Sequence, residues 1–179
     1  MPDKKISSLN YKEQKEIKPT IEEVIPECLS GDMKKTVLDF VMYLRANKMF
    51  LKWRSANSWK ILHENKSVFS IGLATGKWVW AGRYSNFWFV ALSINNITEY
   101  EESIIDAGLQ KFIWDNIKYC NSCSKCAPGI EMTISGRELK NICRDLCLIA
   151  ICDPDEETLN DIKKLLELEM KARIEKTTV

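Results

Sequence analysis

Six of the seven cysteines of this chain fall within one stretch of its second half. They are Cys120, Cys123, Cys126, Cys143, Cys147 and Cys152. Two residues separate Cys120 from Cys123, and two separate Cys123 from Cys126. Such a spacer lets neighbouring thiolates turn towards one centre with their sulfur atoms about 4 Å apart. Zinc takes four such ligands in a tetrahedron, with each bond about 2.3 Å long. We therefore predict a zinc site, and its expected ligands are Cys120, Cys123, Cys126 and Cys143.

The predicted zinc is structural, because four protein thiolates leave no coordination position for water or a substrate. Lys125 would offset part of the negative charge of the thiolates, and Pro128–Gly129 would turn the chain away after the third ligand. We interpret Cys147 and Cys152 as small apolar core residues. Either of them could instead replace Cys143 as the fourth ligand.

Three other interpretations of the cysteines stay open. An iron–sulfur cluster also takes four cysteines, but the bacterial ferredoxin run places the fourth one three residues after the third and follows it with proline, unlike this chain. A dithiol redox centre uses one Cys-x-x-Cys pair, usually at a helix start beside a thioredoxin-like strand. The thiols could also be reduced and bind nothing. The start of the chain has no apolar signal segment, so we expect a cytoplasmic, reducing environment in which disulfides are rare.

Tryptophans on the predicted strands form the second group of candidate site residues. They are Trp59, Trp78, Trp80 and Trp88. Such rings could line a pocket for a flat aromatic or cationic small molecule. The competing interpretation is packing in the core of a small sheet, because aromatic residues favour strands and bury large areas. Packing is the favoured interpretation, and the pocket is a hypothesis beside it.

Catalytic constellations are not recognisable in the sequence. His63 is the only histidine, and no nucleophile elbow, phosphate loop or dinucleotide motif accompanies it. The 26 Lys and Arg residues balance 25 Asp and Glu residues, which argues against a nucleic-acid partner. No apolar run reaches the roughly 18 residues of a membrane helix. We therefore expect a non-catalytic domain that binds a small molecule or a protein partner.

Hydrophobic periodicity predicts an α+β fold. We expect an antiparallel meander sheet of four to six strands packed by three helices, with the Cys-rich segment 119–152 as a metal-binding appendage. Residues 1–30 are predicted to form a polar N-terminal arm, loosely ordered or docked, and residues 31–179 a single domain. The expected helices cover residues 33–46, 99–118 and 154–175.

Two Ser/Thr-x-x-Glu patterns predict helix starts, because the two side chains of such a capping box satisfy free amides of the first turn. Thr98 and Glu101 predict the start of the second helix. Ser135 and Glu138 predict a short helix that leads towards Cys143.

The cysteine motif also supports a resemblance to a known family. The run Cys120-x-x-Cys123-x-x-Cys126-Ala-Pro-Gly129, with Asn57-Ser58-Trp59-Lys60 before it and Asp153-Pro154-Asp155 after it, resembles a family of small cytoplasmic proteins of clostridia and related Firmicutes. The resemblance covers roughly residues 33–171. It implies that the four predicted ligands recur together, whereas positions 147 and 152 are usually not cysteine. It brings no established activity. The helix–meander–helix order is also similar to iron-chaperone-like and gyrase-inhibitor-like ligand-binding folds, an analogy of fold alone.

Overall fold

The computed structural model describes residues 5–75, 86–92, 97–120, 129–143 and 149–177. The helices are α1 (Tyr11–Ile17), α2 (Ile21–Cys28), α3 (Gly31–Ala46), α4 (Glu101–Asp106), α5 (Gln110–Asn116) and α6 (Glu156–Thr177). The strands are β1 (Phe50–Ser55), β2 (Ser58–His63), β3 (Lys66–Ala74), β4 (Phe87–Leu92), β5 (Ile130–Ile134), β6 (Arg137–Ile142) and β7 (Ile149–Cys152).

The α+β class and the antiparallel sheet are confirmed. Five strands form one sheet in the order β1-β2-β3-β4-β7, and β5 pairs with β6 in a separate hairpin. Six α-helices are described where three were expected. None of these helices has the length and apolar character that crossing a bilayer requires.

The chain divides into two compact units. The first contains Met1–Val90 and Cys152–Pro154, and the second contains Ala91–Ile151 and Asp155–Val179. In the first unit, Trp59 and Ile61 of β2 pair with Ile71 and Phe69 of β3, and all four side chains are buried. Their spacing of two residues places them on one face of the sheet. The hydrophobic effect of burying this face is a main source of stability in the first unit.

Helix α3 supplies a matching apolar stripe to the core of the first unit. Its buried residues are Val37, Phe40, Val41 and Leu44, at the spacing of one helix face. The ring centroid of Phe40 lies 6.2 Å from that of Phe69 and 6.0 Å from that of Trp88, distances typical of aromatic pairs. The predicted helix over 33–46 is therefore present, with two more residues at its start.

In the second unit, the predicted helix over 99–118 is divided into α4 and α5. Gly108 lies between them with a φ of +68°, a conformation that ends a helix and that glycine adopts without strain. The capping box predicted at Thr98 and Glu101 was wrong. Helix α4 begins at Glu101 after a 3₁₀ turn, Ile97–Tyr100, and the Glu101 carboxylate accepts a hydrogen bond from the Gly136 amide instead.

The short helix predicted from Ser135 and Glu138 was also wrong. Ser135 and Gly136 have φ values of +50° and +75° and form the two-residue turn between β5 and β6. Positive φ at both central positions matches the twist of a tight hairpin and is incompatible with an α-helix. The segment that leads to Cys143 is therefore a β-hairpin.

Helix α6 belongs to the second unit and carries a buried charged side chain. Glu169 is 1% exposed, and its Oε2 atom accepts a hydrogen bond of 2.6 Å from the Tyr100 hydroxyl. Its Oε1 atom accepts from Nε of Arg173, one turn further along the helix, at 2.8 Å. The hydrogen bonds from the hydroxyl and the guanidinium thus offset part of the desolvation cost of burying the carboxylate.

Candidate metal centre at Asn141

The first and last predicted zinc ligands, Cys120 and Cys143, lie on adjacent chain segments joined by an isolated antiparallel bridge. The Cys120 amide donates to the Asn141 carbonyl at 2.6 Å, and the Cys143 amide donates to the Lys118 carbonyl at 2.8 Å. This register makes the two cysteines diagonal neighbours across the bridge. Such neighbours are about 7–8 Å apart, which two cysteine side chains bound to one zinc ion can span.

Asn141 fixes this arrangement from the β6 side. Its Nδ2 atom donates to the Cys120 carbonyl at 3.0 Å, so that Asn141 bonds to both polar backbone atoms of Cys120. Its φ is +60°, a left-handed conformation that asparagine tolerates better than most residues. The β5–β6 register shifts between Ile130 and Met132, opposite this part of β6. A bulge of this kind reorients the side chains next to it.

Gly129 also packs closely against Asn141. A Cβ atom at Gly129 would lie 2.6 Å from the carbonyl carbon and 2.8 Å from the Cα atom of Asn141. Backbone therefore packs directly on backbone, and only glycine fits. Cys120 and Gly129 are the described residues on either side of 121–128, and both contact Asn141. Cys123 and Cys126 belong to the segment and lie outside the described residues.

The two described ligand candidates are buried thiols. Cys120 is 7% exposed and Cys143 is 9% exposed. Neither forms a disulfide, and the same holds for Cys28 and Cys152. Within the described ranges, no group of three or more His, Cys, Asp or Glu side chains is arranged to hold a metal ion. Since half of the predicted ligand set falls outside those ranges, the zinc site stays a prediction.

The remaining cysteines have different surroundings. Cys28 is buried at the end of α2, where burial raises the pKa of its thiol and favours the neutral form. It is therefore an apolar core residue. Cys152 is half-buried at the end of β7. Cys147 lies outside the described residues.

Two of the four candidate tryptophans are fully buried, since Trp59 and Trp88 are each 1% exposed. The Trp59 indole donates a hydrogen bond of 2.8 Å to the Pro19 carbonyl, and the Trp88 ring packs against Phe40. These contacts support a packing role for both rings. Trp78 and Trp80 lie outside the described residues, and the proposed aromatic pocket stays a prediction.

A concavity that the sequence analysis did not identify lies on strands β1 and β2 of the first unit. Its volume is about 420 Å³, and its lining includes Lys52, Arg54 and Lys60. The signal was present in the sequence as Lys52-x-Arg54, because residues two apart share one face of a strand. The overall charge of +1 conceals this local excess of positive charge.

The described parts of the chain thus define an α+β protein in which a backbone bridge makes two buried cysteines diagonal neighbours. Comparisons with protein-family models, with curated proteins and with solved structures give no match to this chain. The resemblance to the clostridial family therefore stays a prediction.

Proposed function

We propose that the protein is a non-catalytic, zinc-stabilised cytoplasmic domain that binds a small molecule or a protein partner. The junction at Asn141 carries the zinc part of this proposal. There Cys120 and Cys143 are diagonal neighbours across one bridge, and the described residues on either side of 121–128, Cys120 and Gly129, both contact Asn141.

The role of the zinc is structural. It would tie the segment after α5 to the β5–β6 hairpin, a region with few apolar side chains of its own. Within β5 and β6, only Ile134, Leu139 and Ile142 are buried. Binding free energy at such a site adds to the free energy of unfolding, because the unfolded chain does not preform the tetrahedron.

The same cysteines are the basis of the alternative, an iron–sulfur protein that uses four of them or a dithiol redox protein that uses one Cys-x-x-Cys pair. The two classes differ in their metal content and their colour. Anaerobically purified protein should therefore be analysed for zinc, iron and sulfide per chain, and its visible spectrum recorded. About one zinc per chain, without iron, supports the proposal. Iron with sulfide and a brown colour would contradict the proposal and indicate an electron-transfer protein. Protein without either metal would contradict both the zinc and the iron–sulfur hypotheses.

Serine variants then identify the ligands. Cys143→Ser and Cys123→Ser should each lose zinc and melt at a lower temperature than the wild type, because an incomplete tetrahedron binds the ion weakly. Cys28→Ser is the matched control for a buried cysteine outside the site, and it should retain zinc. If Cys152→Ser loses zinc while Cys143→Ser retains it, Cys152 is the fourth ligand. An unchanged melting temperature in Cys123→Ser would contradict the structural role.

A further inference from the structure

Two positive charges face each other across the first hairpin. Lys52 of β1 is directly opposite Lys60 of β2 in the antiparallel register, and both residues are exposed. Arg54 follows two residues after Lys52, is exposed, and lines the same concavity as both lysines. Like charges directly opposite one another destabilise an antiparallel pair. The hairpin therefore retains an arrangement that weakens its own pairing.

Acidic residues are scarce in the sequence next to these cations. Between residues 48 and 67 there are five Lys and Arg residues and a single acidic residue, Glu64. Among the residues that the structure describes, no ion pair involves Lys52, Arg54 or Lys60. The repulsion between the lysines is thus not offset by a carboxylate from the described part of the chain.

The three cations line one concavity together with neutral hydrogen-bonding side chains. Asn65, from the turn after β2, and Ser67, from the start of β3, contribute to its lining, and Leu62 adds an apolar wall. Its volume of about 420 Å³ falls within the usual range of roughly 300–1,000 Å³ for small-molecule sites. The site is therefore large enough for an anionic group and part of the molecule that carries it.

We propose that this concavity binds the phosphate group of a small phosphorylated molecule. A phosphate dianion offers several acceptor oxygens to one guanidinium and two ammonium groups, and arginine and lysine are the usual side chains for this task. The bound anion also removes the repulsion between Lys52 and Lys60. This inference specifies the small-molecule part of the proposed function and is independent of the zinc part.

Binding of phosphate compounds to the full-length protein tests the proposal. Inorganic phosphate, glucose 6-phosphate and adenosine 5′-monophosphate should be titrated at matched ionic strength, with amide chemical shifts and calorimetry as readouts. We expect saturable binding of at least one monoester, with shifts in β1 and β2 and weaker binding at 0.5 M NaCl. If inorganic phosphate binds as tightly as the monoesters, the ligand is the free ion. Binding of a single-stranded oligonucleotide without any monoester would overturn the proposal, and so would no binding beyond that of chloride.

A charge variant separates binding from folding. Lys60→Gln should weaken monoester binding about tenfold, whereas Lys35→Gln, at an exposed position on α3, should leave it unchanged. Without ligand, Lys60→Gln should melt about 1–4 °C higher than the wild type, because the like-charge pair is gone. Equal weakening in both variants would overturn the proposal. The zinc content of both variants should equal that of the wild type, so a failure here leaves the metal proposal unaffected.

Discussion

The side chain of Gln14 forms two hydrogen bonds with Asn57, 43 positions further along the chain. Gln14 Nε2 donates to Asn57 Oδ1 at 2.8 Å, and the Asn57 amide donates to Gln14 Oε1 at 2.9 Å. Gln14 is fully buried, and Asn57 lies in the β1–β2 turn with a φ of +53°. The pair therefore holds helix α1 on the hairpin that carries Lys52 and Lys60.

We predict that Gln14→Ala lowers the free energy of unfolding by about 2–4 kcal/mol, because the substitution leaves both Asn57 groups buried without these partners. Urea denaturation measures the change. Glu16→Ala alters an exposed residue of the same helix and should change stability by less than about 0.5 kcal/mol. An equally small loss in Gln14→Ala would show that α1 does not depend on this contact.

A close contact between Gly72 of β3 and the Phe89 ring of β4 gives a second prediction. A Cβ atom at Gly72 would overlap that ring, so Gly72→Ala should cost about 1–3 kcal/mol of stability through overpacking. Phe89→Leu shortens the side chain and makes room. The double variant should therefore be about 1–2 kcal/mol more stable than the summed single losses predict. Simple additivity of the two losses would contradict the contact.

The buried Tyr100 makes the free energy of unfolding depend on pH in the alkaline range. Burial, and then its hydrogen bond to the Glu169 carboxylate, raise the pKa of Tyr100 above the usual value of about 10. Above pH 10 the folded state thus keeps a proton that the unfolded state releases. The contribution of Tyr100 to the free energy of unfolding is therefore complete below pH 10 and declines as the pH rises above that value.

The matched variant is Tyr100→Phe, which lacks the ionisable hydroxyl group. From pH 9 to 11.5, the free energy of unfolding should fall more steeply in the wild type than in Tyr100→Phe. Urea denaturation at a series of pH values gives both slopes, and the other titrating groups cancel in the difference. Parallel slopes would mean that Tyr100 titrates alike in both states.

Two glycines near the cysteines distinguish metal binding from general stability. Gly129→Ala should lose zinc with all four cysteines intact, because a Cβ there displaces the chain from Asn141. Gly136→Ala should cost about 1–2 kcal/mol through its positive φ but retain zinc, because no atom of the described residues lies within 4 Å of the added Cβ. Elemental analysis and urea denaturation of both variants provide the measurements. Retention of zinc in Gly129→Ala would contradict the role given to the Asn141 junction.

Sequence periodicity determined the elements whose side chains follow one simple repeat. The apolar residues of α3 recur every three to four positions, and those of β2 and β3 alternate. Both patterns reflect the geometry of a single helix or strand that packs one face on a core. They can therefore be recognised without knowing which other elements form that core. The cysteine spacing likewise predicts a zinc site from sequence alone, because the choice of metal depends on the type of the ligand residues.

Tertiary structure decided the features that depend on residues far apart in the chain. Glu101 bonds to Gly136 and not within its own helix start, and Ser135 adopts a hairpin turn although its sequence context matches a helix cap. Asn141 carries no metal-ligand signal, yet its backbone contacts both Cys120 and Gly129. The physical reason is that a local pattern specifies which partners a backbone or side chain can accept, whereas packing of the whole chain selects which partner it meets.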